Sequence, residues 1–184
     1  MTAPISSFTP GVLAHSDAAR VGFAPRCARF SLRARGDLAP LEAALGLSLP
    51  TRIGQRVTAG ERQLLCLGPD EWVLHAPERD GAAITAACAG VYADHPHSLV
   101  DISGREVSFV IDGPRGAELL TLGCARDLDS IAVGEGRRTL FDGATVILWR
   151  DGDTSFRLDC WNSFATHLFH LLDTGVRELA AESL

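Results

Sequence analysis

The chain has 184 residues, is 46% hydrophobic and 22% charged, and carries a formal net charge of −6 with a pI near 5.4. That profile excludes a disordered chain, and it argues against a nucleic-acid or anionic-membrane partner, since an acidic surface is repelled by phosphate. Every basic residue is arginine, scattered rather than segregated into a stripe, which reads as codon usage rather than function.

The opening residues have neither a basic leader nor a continuous apolar stretch, so no signal peptide is expected. No apolar run reaches the roughly 20 residues of a spanning helix. The five cysteines are widely spaced among apolar neighbours, which suggests buried free thiols in a reducing cytoplasm. A cytoplasmic protein is the expectation.

Residues 1–24 mix Ser, Thr, Pro and Gly without periodicity and read as an N-terminal arm. Residues 25–184 then read as one domain. "CARFSLRA" alternates as a strand with Phe30 and Leu32 on one face. "GDLAPLEAALG" predicts a short helix, with Asp37 as candidate N-cap and Gly46 as terminator. "RQLLCLG" and "EWVLHA" predict two strands, and "GAAITAACAG" a second helix.

After a polar link, "HPHSLVDISGR", the design recurs. Val107, Phe109 and Ile111 alternate, Asp112-Gly113 turns, and a helix follows Pro114 as far as Gly123. "ATVILWR", "SFRLDCW" and "SFATHLFHLLDTG" supply two strands and a helix. Gly46 and Gly123 lie at an offset of 77, which also pairs Phe30 with Val107 and Gly36 with Gly113; Gly68 and Gly152 lie at 84. The chain therefore reads as an α+β strand-helix-strand-strand-helix unit used twice, over about 27–90 and about 104–175. Halves of that size bury little surface alone, so one sheet system and one core are expected.

Candidate chemistry is sparse. In "LGPDEWVLHAP" the adjacent Asp70 and Glu71 point to opposite faces of a strand and share a proton poorly. Gly68, Pro69 and Asp70 are turn formers, and Trp72 begins the returning strand as a core residue. That turn reading outweighs a catalytic pair beside a stacking platform.

His167 and His170 lie three apart on the last helix but lack a third ligand at the next turn. His95 and His97, beside Asp94, could offer two ligands at most. No Cys-x-x-Cys exists. Gly113-Pro114-Arg115-Gly116 lacks a phosphate-cradling pattern, and Ser103 lacks a nucleophile elbow. The residues alone predict no catalytic, cofactor-binding or metal site.

Five segments together resemble the gamma subunit family of heterotetrameric sarcosine oxidases. They are "LGLSLP", "LGPDEWVL", "LVDISGREVSFVIDGP", "GCARDL" and "FRLDCWNSFATHLFHLL", in the family's order from about Phe23 to Asp173. Two features depart from the family's pattern: Asn162 stands where arginine usually precedes Ser-Phe-Ala, and the Phe-Pro usual beyond "DL" is missing around Ile131-Ala132-Val133.

The resemblance implies a non-catalytic subunit of a complex that oxidatively demethylates sarcosine to glycine. Its partners would be alpha, beta and delta subunits. FAD, FMN, NAD and tetrahydrofolate would sit on the larger chains and zinc on delta, with no cofactor on this one. It also implies a duplicated pseudobarrel like the folate-binding domain of aminomethyltransferases.

An active folate-dependent one-carbon enzyme is the alternative. In that comparison Ile147 and Leu148 fall where the transferases carry carboxylates, and aliphatic side chains cannot orient an amine. A generic interaction module is a third reading. The arm, with Ile5, Phe8, Val12 and Leu13, is the expected partner contact, dispensable for folding.

Overall fold

The computed structural model describes residues 9–182. Helices and antiparallel sheets alternate along the chain, and two compact units result. One comprises Arg26–Gly104; the other joins the residues up to Pro25 with those from Arg105 on.

The Arg26–Gly104 unit is built on a five-stranded sheet. Its strands are β3 (Ala28–Ala34), β4 (Arg56–Ala59), β5 (Arg62–Gly68), β6 (Glu71–Ala76) and β7 (His97–Asp101), in the order β4-β5-β6-β3-β7. Helices α1 (Ala39–Leu45) and α2 (Gly81–Val91) are joined to it. Alternation decides the packing: Phe30 and Leu32 of β3, Leu64 of β5 and Trp72 and Leu74 of β6 meet Leu41, Leu45, Ile84 and Cys88 of the helices in one apolar cluster. Helix α1 ends at Gly46, whose φ of 69° is the left-handed conformation that favours glycine. Asp37 sits one place before the capping residue, and its carboxylate accepts the Ala39 amide at 3.1 Å.

The second unit carries a six-stranded sheet. It contains β1 (Gly11–His15), β2 (Arg20–Phe23), β8 (Glu106–Asp112), β9 (Gly136–Phe141), β10 (Ala144–Arg150) and β11 (Ser155–Trp161), ordered β1-β2-β8-β11-β10-β9. Helices α3 (Gly116–Thr121) and α4 (Asn162–Ala181) complete it. Phe109, Ile111, Leu148, Phe156 and Leu158 of the sheet pack with Leu119, Leu168, Leu172 and Val176 of the helices. Gly175 lets the two helices approach closely, for a Cβ there would stand 2.5 Å from Leu119.

Strand by strand, β4-β5-β6-β3 corresponds to β9-β10-β11-β8, with a helix after β3 and β8 and another after β6 and β11. The fourth neighbour is exchanged. β2 leads directly into β3 yet pairs with β8, whereas β7 leads directly into β8 yet pairs with β3.

Four expectations are corrected here. Within the supposed arm, Gly11–His15 and Arg20–Phe23 form β1 and β2, and Val21 and Phe23 lie in the apolar cluster beside Phe109. Ile5 and Phe8 fall outside the described residues. The expected single core is two clusters, because each sheet lays its own pair of helices on one face. The polar link after α2 contains strand β7, and helix α3 stops at Thr121, short of Gly123. Among the described residues no helix is long and apolar enough to cross a membrane.

Candidate partner interface

Trp72 is 1% exposed, and its indole N–H donates to the Pro50 carbonyl at 2.7 Å. The core reading of this residue therefore stands on geometry, with the polar edge of the ring satisfied. Pro69-Asp70 is the two-residue turn between β5 and β6.

The Asp70 side chain hydrogen-bonds its own backbone amide, as a turn aspartate does, and it also engages arginine. It accepts from Arg35 Nε at 2.8 Å and lies 3.6 Å from Arg33, which also reaches Glu71 at 3.0 Å. The two carboxylates thus share an arginine after all. The hydrogen bond from Arg35, aided by the charges of Arg35 and Arg33, holds the Asp70 carboxyl below its ordinary value. A proton donor or acceptor near neutral pH would need the opposite shift.

Arg35, Gly36, Leu38, Pro69, Asp70 and Trp72 line an open cleft of about 400 Å³. Its charged groups are already committed to each other.

The remaining candidates make the following contacts. The Ser103 hydroxyl accepts the Arg29 amide at 2.8 Å and donates to Asp101 at 2.6 Å, which keeps the Asp101 carboxyl low. Arg115 donates to the Leu179 carbonyl at 3.1 Å and pairs with Glu118 and Glu182, so the Gly-Pro-Arg-Gly loop clamps the end of α4.

His167 does not join His170; it meets Asp142 at 2.7 Å. His97 Nδ1 lies 2.7 Å from the His95 carbonyl oxygen, and the His97 ring stands edge-on to Tyr92. Among the described residues no group of three His, Cys, Asp or Glu could hold a metal ion. Ile147 and Leu148 lie in β10, Leu148 within the apolar cluster.

Sequence reasoning missed two features. The first is a buried polar set in the six-stranded sheet. Asp159 accepts from Trp149 Nε1 at 2.6 Å and from the Ser108 hydroxyl, while Arg157 stacks over the Trp149 ring at 4.8 Å and pairs with Asp151.

The second is an exposed aromatic corner where β11 passes into α4. Trp161 is 47% and Phe164 40% exposed, their ring centroids 6.4 Å apart. Arg105 lies over Trp161 at 5.3 Å. The alternation Phe156-Leu158-Cys160 carried the signal: it places Trp161 on the face away from the helices, at the strand's end. Exposed tryptophan, phenylalanine and arginine together are the composition of interface hot spots.

The sequence matches the sarcosine oxidase gamma subunit family over residues 35–178. The chain belongs to that family. It is 31% identical over 167 residues to a sarcosine oxidase subunit gamma of Corynebacterium sp. strain P-1, covering 88% of this chain and 80% of the relative. The corresponding Arthrobacter subunit is 33% identical over 151 residues, covering 79% of this chain and 72% of its own.

Among solved structures, the heterotetrameric sarcosine oxidase of Corynebacterium sp. U-96 contains a chain that superposes with a TM-score of 0.82 at 28% identity, covering 92% of this chain and 89% of that one. The glycine cleavage system aminomethyltransferase T of Bartonella henselae superposes at 0.62 with 15% identity, over 82% of this chain and 44% of its own, a likeness of fold alone.

Proposed function

We propose that this gamma-family chain is a non-catalytic subunit of a heterotetrameric sarcosine oxidase, which holds the flavin-bearing chains in assembly while they demethylate sarcosine to glycine. The observation that carries the reading is the superposition, over nine-tenths of the chain, on a chain of an oxidase solved as a heterotetramer. FAD, FMN, NAD, tetrahydrofolate and zinc belong, in this reading, to the alpha, beta and delta subunits, and the complex is cytoplasmic.

The matching strand and helix orders of the two units support the finer description of the fold as a duplicated pseudobarrel of the aminomethyltransferase type. The aliphatic pair Ile147 and Leu148 disfavours the alternative of a folate-dependent transferase, since neither can orient an amine or balance positive charge.

Co-expression of tagged chain with the three other subunits tests the proposal. The tagged chain is expected to bring down a flavin-coloured complex of four different chains that oxidises sarcosine. A chain that purifies alone, while the others assemble and turn over without it, would overturn the reading. Micromolar binding of tetrahydrofolate by the isolated chain would favour the transferase instead.

A further inference from the structure

The corner of Arg105, Glu106, Trp161 and Phe164 has features that the fold does not require. Trp72 and Trp149 are 1% and 0% exposed, yet Trp161 stands nearly half in solvent. An exposed indole contributes little to folding, whereas at an interface it adds large, rigid contact area at low entropic cost. The corner is also held in place. Glu106 lies opposite Trp161 in the β8–β11 ladder, and the Asn162 amide donates to the Arg105 carbonyl at 2.9 Å where α4 begins.

Glu106 indicates what is missing. It is only 8% exposed, and Arg105 satisfies its Oε1 at 2.7 Å. Among the described residues no donor reaches its buried Oε2. A buried carboxylate oxygen without a hydrogen bond is costly, so a donor supplied from outside would be favoured there. A cation arriving there would also face the Phe164 and Trp161 rings. The net charge of −6 favours a basic visitor over an acidic one.

We propose that this corner docks on one of the larger oxidase subunits, and that the partner inserts a basic side chain, stem against Trp161 and Phe164 and head toward Glu106. The inference rests on the subunit reading above and deepens it by naming the contact and the chemistry of its occupant. Glu106 is the residue that selects charge; the two rings supply the buried area.

The test uses full-length tagged chain co-expressed with the other three subunits, with the dissociation constant of the purified complex measured by dilution at low and high salt. Trp161→Ala should weaken association by roughly 30-fold or more and Phe164→Ala by about tenfold, as central hot-spot truncations do. Glu106→Gln should weaken it by about tenfold and flatten the salt dependence, because a charged contact is removed. Leu140→Ala, at another exposed apolar position, should bind as wild type.

Wild-type binding by all three corner variants would overturn the docking site while leaving the subunit reading intact. Loss in the two aromatic variants, with Glu106→Gln and salt both without effect, would overturn the basic occupant. Failure of wild-type chain to bind at all would remove the subunit reading and this inference together. The melting temperatures of the free variants distinguish lost contact from lost folding, and Glu106→Gln, which keeps shape, serves if a truncation unfolds.

Discussion

Trp149 Nε1 donates to Asp159 Oδ2 at 2.6 Å in the middle of the six-stranded sheet, with Trp149 fully buried and Asp159 nearly so. The Ser108 hydroxyl donates to the other oxygen of the same carboxylate. A charge taken out of water is tolerated only where its oxygens are satisfied in this way.

Removing that carboxylate should therefore be costly. Asp159→Ala leaves the Trp149 N–H and the Ser108 hydroxyl without their acceptor, and should destabilise the chain by roughly 3–5 kcal/mol. Asp159→Asn keeps one acceptor oxygen and should lose less. Urea unfolding of both variants checks the order, and equal midpoints would contradict it.

Trp72→Ala should cost on the order of 3–5 kcal/mol through lost burial and the cavity left behind. Trp72→Phe fills much of that space but leaves the Pro50 carbonyl without its 2.7 Å donor, and should cost about 1–3 kcal/mol. A Trp72→Ala chain that melts like wild type would remove Trp72 from the core.

The N-terminal strands should be indispensable for folding. Deleting residues 1–20 removes β1 and the start of β2 and uncovers Val21 and Phe109, so the melting temperature should fall by many degrees. Gly22→Ala is the subtler probe, because a Cβ there would stand 2.4 Å from the Gly11 carbonyl oxygen, a backbone atom that cannot step aside. It should pry β1 away and lower stability more than Gly90→Ala, where a Cβ meets open space.

The Asp70 carboxyl, held below its ordinary 3.8 by Arg35 and Arg33, gives a pH signature of known sign. A lowered value in the folded chain contributes stability above 3.8, and that contribution is lost as pH falls through the lowered value. Arg35→Gln should move the carboxyl back toward 3.8 and shift the acid loss to higher pH. Carbon NMR of the carboxyl reads the titration directly; an unmoved midpoint in the variant would refute the pairing. The effect on melting should be small, because both arginines are largely solvated.

Thiol reactivity should separate the cysteines. Burial pushes Cys66 and Cys88 up, away from the reactive thiolate, and Cys124 and Cys160 are buried as well. Cys27 alone is partly exposed. Alkylation of native chain should therefore modify Cys27 first, and the other four only on unfolding. Mass mapping that finds Cys66 labelled before Cys27 would contradict this.

Much of the fold was legible because alternation and turn chemistry act locally. "RQLLCLG", "EWVLHA", "ATVILWR" and "SFRLDCW" coincide with β5, β6, β10 and β11, and Gly46 ends α1 as its position promised. The strands that escaped notice are those whose pattern is weak in isolation. β4 and β9 are edge strands rich in polar side chains, β1 exposes Val12 and Leu13 on a sheet edge, and β7 hides in a polar link. A sheet edge needs only one neighbour, so its sequence carries less of the constraint that makes a strand visible.

What the sequence determined by itself was the family and the repeated element order, both of which depend on residue order and spacing. Only the tertiary structure decided that β2 leaves β3 to pair with β8, because pairing between strands far apart in sequence is not written in either strand's own pattern. Only the structure, likewise, left Trp161 in solvent while burying Trp72 and Trp149. All three indoles sit in apolar strands, and burial is fixed by what packs over a strand's face rather than by the strand's own sequence.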